Sequence, residues 1–173
     1  VTPTLTPPFR EFMPTWLAGQ PWYRGDGTPE LKSVGFFRFE DPAGEVGIET
    51  HVVQAGGVTY QIPMTYRGAP LVGGALIVTA EHSELGPRWI YQAETDPVWR
   101  KELLRLVRSN GVASASRGTA FEARGTQLAE FADDEVDIEL ARVPEPAGPD
   151  SPDVVGTVTL GDSRLATIHR PTL

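Results

Sequence analysis

Apolar residues near the start of the chain fall at Phe9, Phe12, Met13, Trp16 and Leu17, the i, i+3, i+4, i+7, i+8 spacing of one helical face. Pro14 interrupts that run, so the pattern predicts either a kinked helix or a short second piece that opens at Pro14 and stops at Gly19. Phe12 and Trp16 are the expected core anchors. From Glu30 onward the pattern changes to short runs rich in β-branched and aromatic residues, at 31–41, 46–54, 58–67, 74–82 and 88–94. The linkers PAGE, AGG, GAPLVG and SELGP are hairpin-sized, which predicts a meander in which each strand pairs antiparallel with the next.

The segment DPVWRKELLRLVRSNG reads as a second helix. Asp96 is placed to cap its first turn, Pro97 suits the first helical position, and Asn110-Gly111 supplies a left-handed stop. Trp99, Leu103, Leu106 and Val107 form its apolar stripe, while Lys101, Arg105 and Arg108 mark a solvent face with two cations near the negative end of the dipole. Beyond it, 113–123, 136–143, 154–162 and 164–171 read as four more strands, and a Pro-rich loop near 144–152 divides the last two from the rest. The expected organisation is one domain of α+β class: helix, strands and helix over 9–111, then additional strands over 112–173.

Composition narrows the function. The chain has 173 residues, 40% of them hydrophobic, enough for a core of ordinary size. A net charge of -8 argues against a nucleic-acid binder, which needs concentrated Lys and Arg. With no cysteine there are no disulfides or thiolate metal sites. VTPTLTPPF has neither a basic n-region nor an apolar h-region, and no run is long and apolar enough to span a bilayer, so a cytoplasmic protein with no membrane partner is expected.

Candidate chemistry is sparse. Glu49 and His51 share one strand face at a spacing a metal pair could use, but no third ligand is visible. Glu81, His82 and Ser83 bring acid, base and hydroxyl together in sequence, yet adjacent strand residues point to opposite faces. An enzymatic reading would need them to converge with Glu49 or His51 in a pocket. His169 lies near the terminus, and the run Asp133, Asp134, Glu135 is solvated acid at a strand start. No nucleophile elbow or phosphate loop is present, and neither a catalytic residue, a metal nor a cofactor is assigned. The aromatic side chains of Trp22, Tyr23, Trp89 and Tyr91 remain as ligand or partner contacts, since Trp and Tyr join a large apolar body to a polar handle. Glu81 and His82 complete the candidate set.

WLAGQPWYRGDG, followed by a strand, resembles the start of the N-terminal cap domain of actinobacterial maltokinases. VTYQIPMTYRGAPL is similar to that family's Tyr-Gln-hydrophobic-Pro strand, and YQAETDPVWRKELLRLV to its aromatic strand, Asp-Pro cap and closing helix. A closer likeness is to stand-alone actinobacterial proteins that carry the cap without a kinase body. The resemblance implies a curved, cystatin-like antiparallel sheet wrapped on a helix, in which Trp22 and Tyr23 pin the exit from the first helix. It carries over no catalytic residue, because the His-x-Asp loop and Asp-Phe-Gly motif of the kinase body are absent from these residues. It implies a non-catalytic module that partners a sugar kinase or a glucan- or trehalose-metabolising enzyme. The alternative is a binder of maltooligosaccharide or sugar phosphate on the concave sheet face. An uncovered sheet face would also favour a homodimer.

Overall fold

The computed structural model describes residues 1–115 and 121–171. Strand β1 (Leu5–Thr6) leads into helix α1 (Phe9–Ala18), followed by β2 (Lys32–Phe39), β3 (Gly47–Ala55), β4 (Val58–Arg67), β5 (Leu76–His82) and β6 (Gly86–Gln92). Helix α2 (Pro97–Arg108) then precedes β7 (Val112–Ser114), β8 (Glu122–Gln127), β9 (Asp137–Pro146), β10 (Val154–Leu160) and β11 (Ser163–His169). The class is α+β with a curved antiparallel sheet, as expected. Two sheets are present, one of six strands in the order β1-β5-β6-β4-β3-β2 and one of five in the order β7-β8-β10-β11-β9.

The strand order departs from a simple meander in both sheets: in the second, β8 pairs with β10 and β9 with β11, and in the first the departure is at β5. β4 pairs with β6, not with β5, and β5 lies outside β6. The linker 68–75 therefore carries the chain past the position that β6 later fills. Tyr91 explains how the linker is held: its hydroxyl accepts from the Leu71 amide at 2.8 Å, and its ring lies under Gly74. β1, only two residues long, was not evident in sequence; it pairs with the outer edge of β5.

Helix α1 runs unbroken through Pro14. A proline there removes one backbone donor, and the remaining contacts of the helix with the sheet outweigh that loss. Met13 and Leu17 are fully buried, whereas Phe12 and Trp16, the expected anchors, flank them half-buried. α1 packs on one face of the first sheet, against Val53, Ala55, Tyr60, Ile62, Met64 and Ile90. The other face presents Phe37, Phe39 and Ile48 to α2 and the second sheet, in one continuous core with Trp99, Leu103, Val158 and Leu165. Because β4 is covered on both faces, six consecutive residues from Tyr60 to Thr65 are buried, which is why its sequence shows no clean alternation.

α2 begins as the sequence predicts, with the Asp96 carboxylate accepting from the Val98 amide. Its buried stripe differs by one position: Leu104 is fully buried and Leu106 half-buried. The shift follows from which sheet it covers. Gly125 and Gly156 in the second sheet let the helix come close; a Cβ on Gly125 would lie 2.5 Å from the Leu106 carbonyl oxygen, and one on Gly156 would lie 2.4 Å from Val107 Cγ1.

The strand expected at 113–123 is two strands, β7 and the start of β8, paired with each other antiparallel. Residues 116–120 of that expectation lie outside the described residues. β9 extends to Pro146 and so includes the first residues of the Pro-rich loop; 147–152 is exposed. Gln61 joins the sheets directly: its Nε2 donates to the carbonyls of Ala141 and Leu165, both at 2.6 Å. Among the described residues no helix is long and apolar enough to cross a membrane.

Candidate functional site

Ten residues of α1 span about 15 Å, too short to cover the whole helix-side face of a six-stranded sheet. The uncovered end forms an open cleft of about 930 Å³. Its floor is made by β2, β3 and β4, and its walls by the start of α1, the β2–β3 loop and the linker after β4. The volume falls in the range of small-molecule pockets.

Hairpin register builds the floor. β2 and β3 pair so that Phe36 faces His51 and Arg38 faces Glu49, and these residues share the helix side by alternation. Glu49 is the hub. Its Oε2 accepts from Arg38 Nε at 2.9 Å and from Arg38 Nη2 at 2.6 Å. Its Oε1 accepts from the Tyr66 hydroxyl at 3.2 Å and lies 3.1 Å from His51 Nε2. Burial pushes this carboxyl up, but His51 and then Arg38 outweigh it and hold the pKa down at about 2. The Tyr66 hydroxyl moves the other way: burial and the Glu49 charge push it well above the usual phenol value. The His51 ring stacks against Phe9 at 4.4 Å and Phe36 at 5.4 Å, which fixes it between α1 and β2.

The walls are held by their own polar contacts. In the β2–β3 loop, Asp41 accepts from the amides of Ala43, Glu45 and Val46 at 2.9–3.0 Å. Slight burial raises the Asp41 carboxyl, and the three amides more than offset it. On the opposite wall Arg88 donates to the Leu85 carbonyl at 2.5 Å and lies beside Gly68. Arg67 turns away to the other side of the sheet, where it holds the buried Asp96 carboxylate through Nε at 2.7 Å and Nη2 at 2.8 Å. Burial pushes the Asp96 carboxyl up, but the hydrogen bonds from Arg67 and Val98 leave it below the usual range.

The residues singled out in the sequence divide between this cleft and other places. His82 lines the cleft; its Nδ1 accepts from the Glu84 and Leu85 amides at 3.2 and 3.1 Å, which leaves Nε2 to carry the proton of the neutral ring. Glu81 is exposed on β5, and Ser83 Oγ accepts from the Thr4 amide at 2.9 Å. Trp22, Tyr23, Trp89 and Tyr91 do not line the cleft. Trp22 lies under the Arg142 guanidinium at 4.7 Å, and Arg142 pairs in turn with Glu94. Tyr23 packs on Tyr60, whose hydroxyl accepts from the Arg24 amide at 2.9 Å. Trp89 is half-buried on β6 and Tyr91 is buried beneath the linker. Asp133–Glu135 form a 3-10 turn, with Asp133 paired to Arg108. Among the described residues no group of three or more His, Cys, Asp or Glu side chains gathers as a metal site.

Arg38, Tyr66 and Arg88 carry much of the cleft and were not singled out in the sequence. The available signal was hairpin register, since placing Phe39 opposite Ile48 brings Arg38 to Glu49. No curated protein matches the chain. Residues 16–96, from Trp16 in α1 to the Asp96 cap of α2, match the family model of the maltokinase N-terminal cap domain. That match contains β2 to β6 and the floor of the cleft, and it includes no kinase catalytic domain. Residues 16–96 of this chain are thus similar to a maltokinase N-terminal cap domain.

Proposed function

We propose that this protein is a non-catalytic cap-like module that docks on a sugar kinase or an enzyme of α-glucan or trehalose metabolism, in an actinobacterial cytoplasm, and tunes it. The observation that carries this reading is the match to a kinase cap domain that stops at Asp96, where α2 and a five-stranded antiparallel sheet follow. α2 and that sheet cover one face of the cap sheet, so the residues after the match serve to complete the cap's packing. The polar contacts in the cleft fit a positioning role better than proton transfer: Glu49 at a pKa of about 2 is a permanent anion near neutrality, far from the poise of a general base.

The test is reconstitution. The purified chain is mixed with a purified maltokinase and with the glucan and trehalose enzymes of its source organism, and binding and turnover are followed together. Saturable binding accompanied by a change in kcat or KM supports the reading. Absence of binding to every enzyme in that set, at concentrations up to about 100 μM, which would reveal even weak transient complexes, removes it.

A further inference from the structure

The two facing walls of the cleft differ in charge. On the wall made by the β2–β3 loop, Glu40 and Glu45 are exposed and form no ion pair among the described residues, and Asp41 beside them is a third carboxylate, held by three backbone amides. On the wall made by β5 and β6, His82 and Arg88 share one sheet face, because Ala80 pairs with Arg88 and His82 lies two residues further along the same strand. Both offer donors. His82 Nε2 carries the ring proton, and Arg88, whose Nη2 is held by the Leu85 carbonyl, has a buried Nε with no partner among the described residues. The other charged groups lining the cleft are paired within the protein: Arg38 with Glu49, beside which His51 lies, and Arg67 with Asp96.

The distance between the walls says what can reach both. Strand β6, with Arg88, is two strand spacings from β3, into which Glu45 leads, and three from β2, after which Glu40 follows. At about 4.8 Å per spacing the walls stand about 10–14 Å apart, the reach of three or four residues of extended chain at about 3.4 Å each. A lone anion or a lone cation matches one wall and is repelled by the other, and a metal ion finds no group of three ligands among the described residues. A peptide segment with an acidic side chain at one end and a basic one three or four residues later matches both walls, and the order of its charges fixes its direction. Between those ends Leu5, Pro8 and Phe9 present apolar surface to an aliphatic side chain, and the Tyr66 oxygen, which donates its proton to Glu49, can still accept from a peptide N–H. We infer that the cleft seats an extended segment of a partner protein, with an Asp or Glu side chain against Arg88 and His82 and a Lys or Arg side chain against Glu40 and Glu45. The inference rests on the docking reading for the protein that supplies the segment.

The experiment titrates the 15N-labelled full chain with three blocked peptides, Glu-Ala-Leu-Ala-Lys, Glu-Ala-Leu-Ala-Glu and Lys-Ala-Leu-Ala-Lys. Gly44, Gly47 and Gly68 line the cleft and report on it, whereas Gly125 and Gly156 lie at the α2 interface and serve as controls. The expected result is saturable movement of the cleft glycines alone, with the mixed-charge peptide bound about fivefold more tightly than either of the others, as for one matched ion pair. In a Glu40→Gln, Glu45→Gln double variant that advantage should vanish against Glu-Ala-Leu-Ala-Glu, and in Arg88→Ala it should vanish against Lys-Ala-Leu-Ala-Lys. Both glutamates are exposed, so the double variant keeps the fold and decides the matter even if Arg88→Ala does not. Cleft glycines that stay still up to about 10 mM mixed-charge peptide, which would fill about nine-tenths of a site with a Kd near 1 mM, overturn the inference, and so does equal binding of the three peptides. Reconstitution separates this result from the docking role. An enzyme that binds the wild type and the double variant equally overturns the cleft as its seat and leaves docking in place; if no enzyme binds the wild type, the docking role falls and the cleft loses the protein that would supply its segment.

Discussion

Replacing Glu49 by Gln keeps the shape of the cleft floor and removes its central charge. The carboxylate takes two hydrogen bonds from Arg38 and one from Tyr66, and lies against His51. Its pKa falls from the usual 4.5 to about 2. At about 1.4 kcal/mol per pH unit, that difference corresponds to about 3 kcal/mol of stability. Arg38 is 43% exposed, so solvent screening lowers the expected figure to about 2 kcal/mol. The sign follows from proton binding. Below about pH 4.5 the unfolded carboxyl gains a proton that the folded one does not, so the contribution is complete above that pH and is lost as pH falls through about 2. Urea unfolding of wild type and Glu49→Gln at pH 6, 4, 3 and 2 measures the difference directly, with the m-value checking that the denatured states match. A gap of about 2 kcal/mol at pH 6 that closes toward pH 2 is expected. A gap below about 0.5 kcal/mol at pH 6, or one unchanged at pH 2, would refute the ion-pair account of the floor.

Three further perturbations probe the scaffold. Asp96→Ala removes the α2 cap and leaves Arg67 without its partner, at a cost of about 3 kcal/mol and a fall in Tm of about 6–12 °C; Asp96→Asn, which can still cap, should lie between it and wild type by differential scanning calorimetry. Gly125→Ala drives a Cβ into the backbone of α2, where no flexible side chain can yield, and should lower the urea midpoint by the equivalent of about 2 kcal/mol. A chain cut after Asp96 exposes Phe37, Phe39 and Ile48 and should bind a hydrophobic dye and lose cooperative unfolding; a monomeric fragment with a sharp transition would show that the core shared with α2 is dispensable.

Much of the architecture was legible where local chemistry and tertiary packing agree. α2 announces itself through Asp96-Pro97 and Asn110, and the structure places the cap at Asp96 and the positive φ at Asn110. β4 is found at Val58–Arg67 as read. The misreadings arise where distant residues decide. β6 displaces β5 from β4 because Tyr91 and the Leu71–Gly74 turn hold the linker, an interaction between residues twenty positions apart. Met13 and Leu17 displace Phe12 and Trp16 from the centre because the helix meets the sheet along a line rotated from the middle of its apolar arc. Gly125 and Gly156 carried no helical signal, yet they determine how closely α2 approaches the second sheet.

Sequence named the aromatic side chains as contacts because their chemistry is conspicuous; in the structure Trp22 stacks under Arg142 and Tyr91 supports a turn. Aromatic surface beside a flexible segment here fastens the segment after α1 to the sheet and to β9, as the Tyr23–Tyr60 and Trp22–Arg142 pairs show. The polar floor was harder to see, since Arg38, Glu49, His51 and Tyr66 come from three strands and each is an ordinary strand residue by itself. What leaves them uncovered is that α1 starts at Phe9: were the helix longer at that end and carried over Glu49, the same four side chains would need to be apolar or else pay the cost of burying a charge. A short helix over a wide curved sheet therefore leaves open the region where polar residues of β2, β3 and β4 meet one another and solvent.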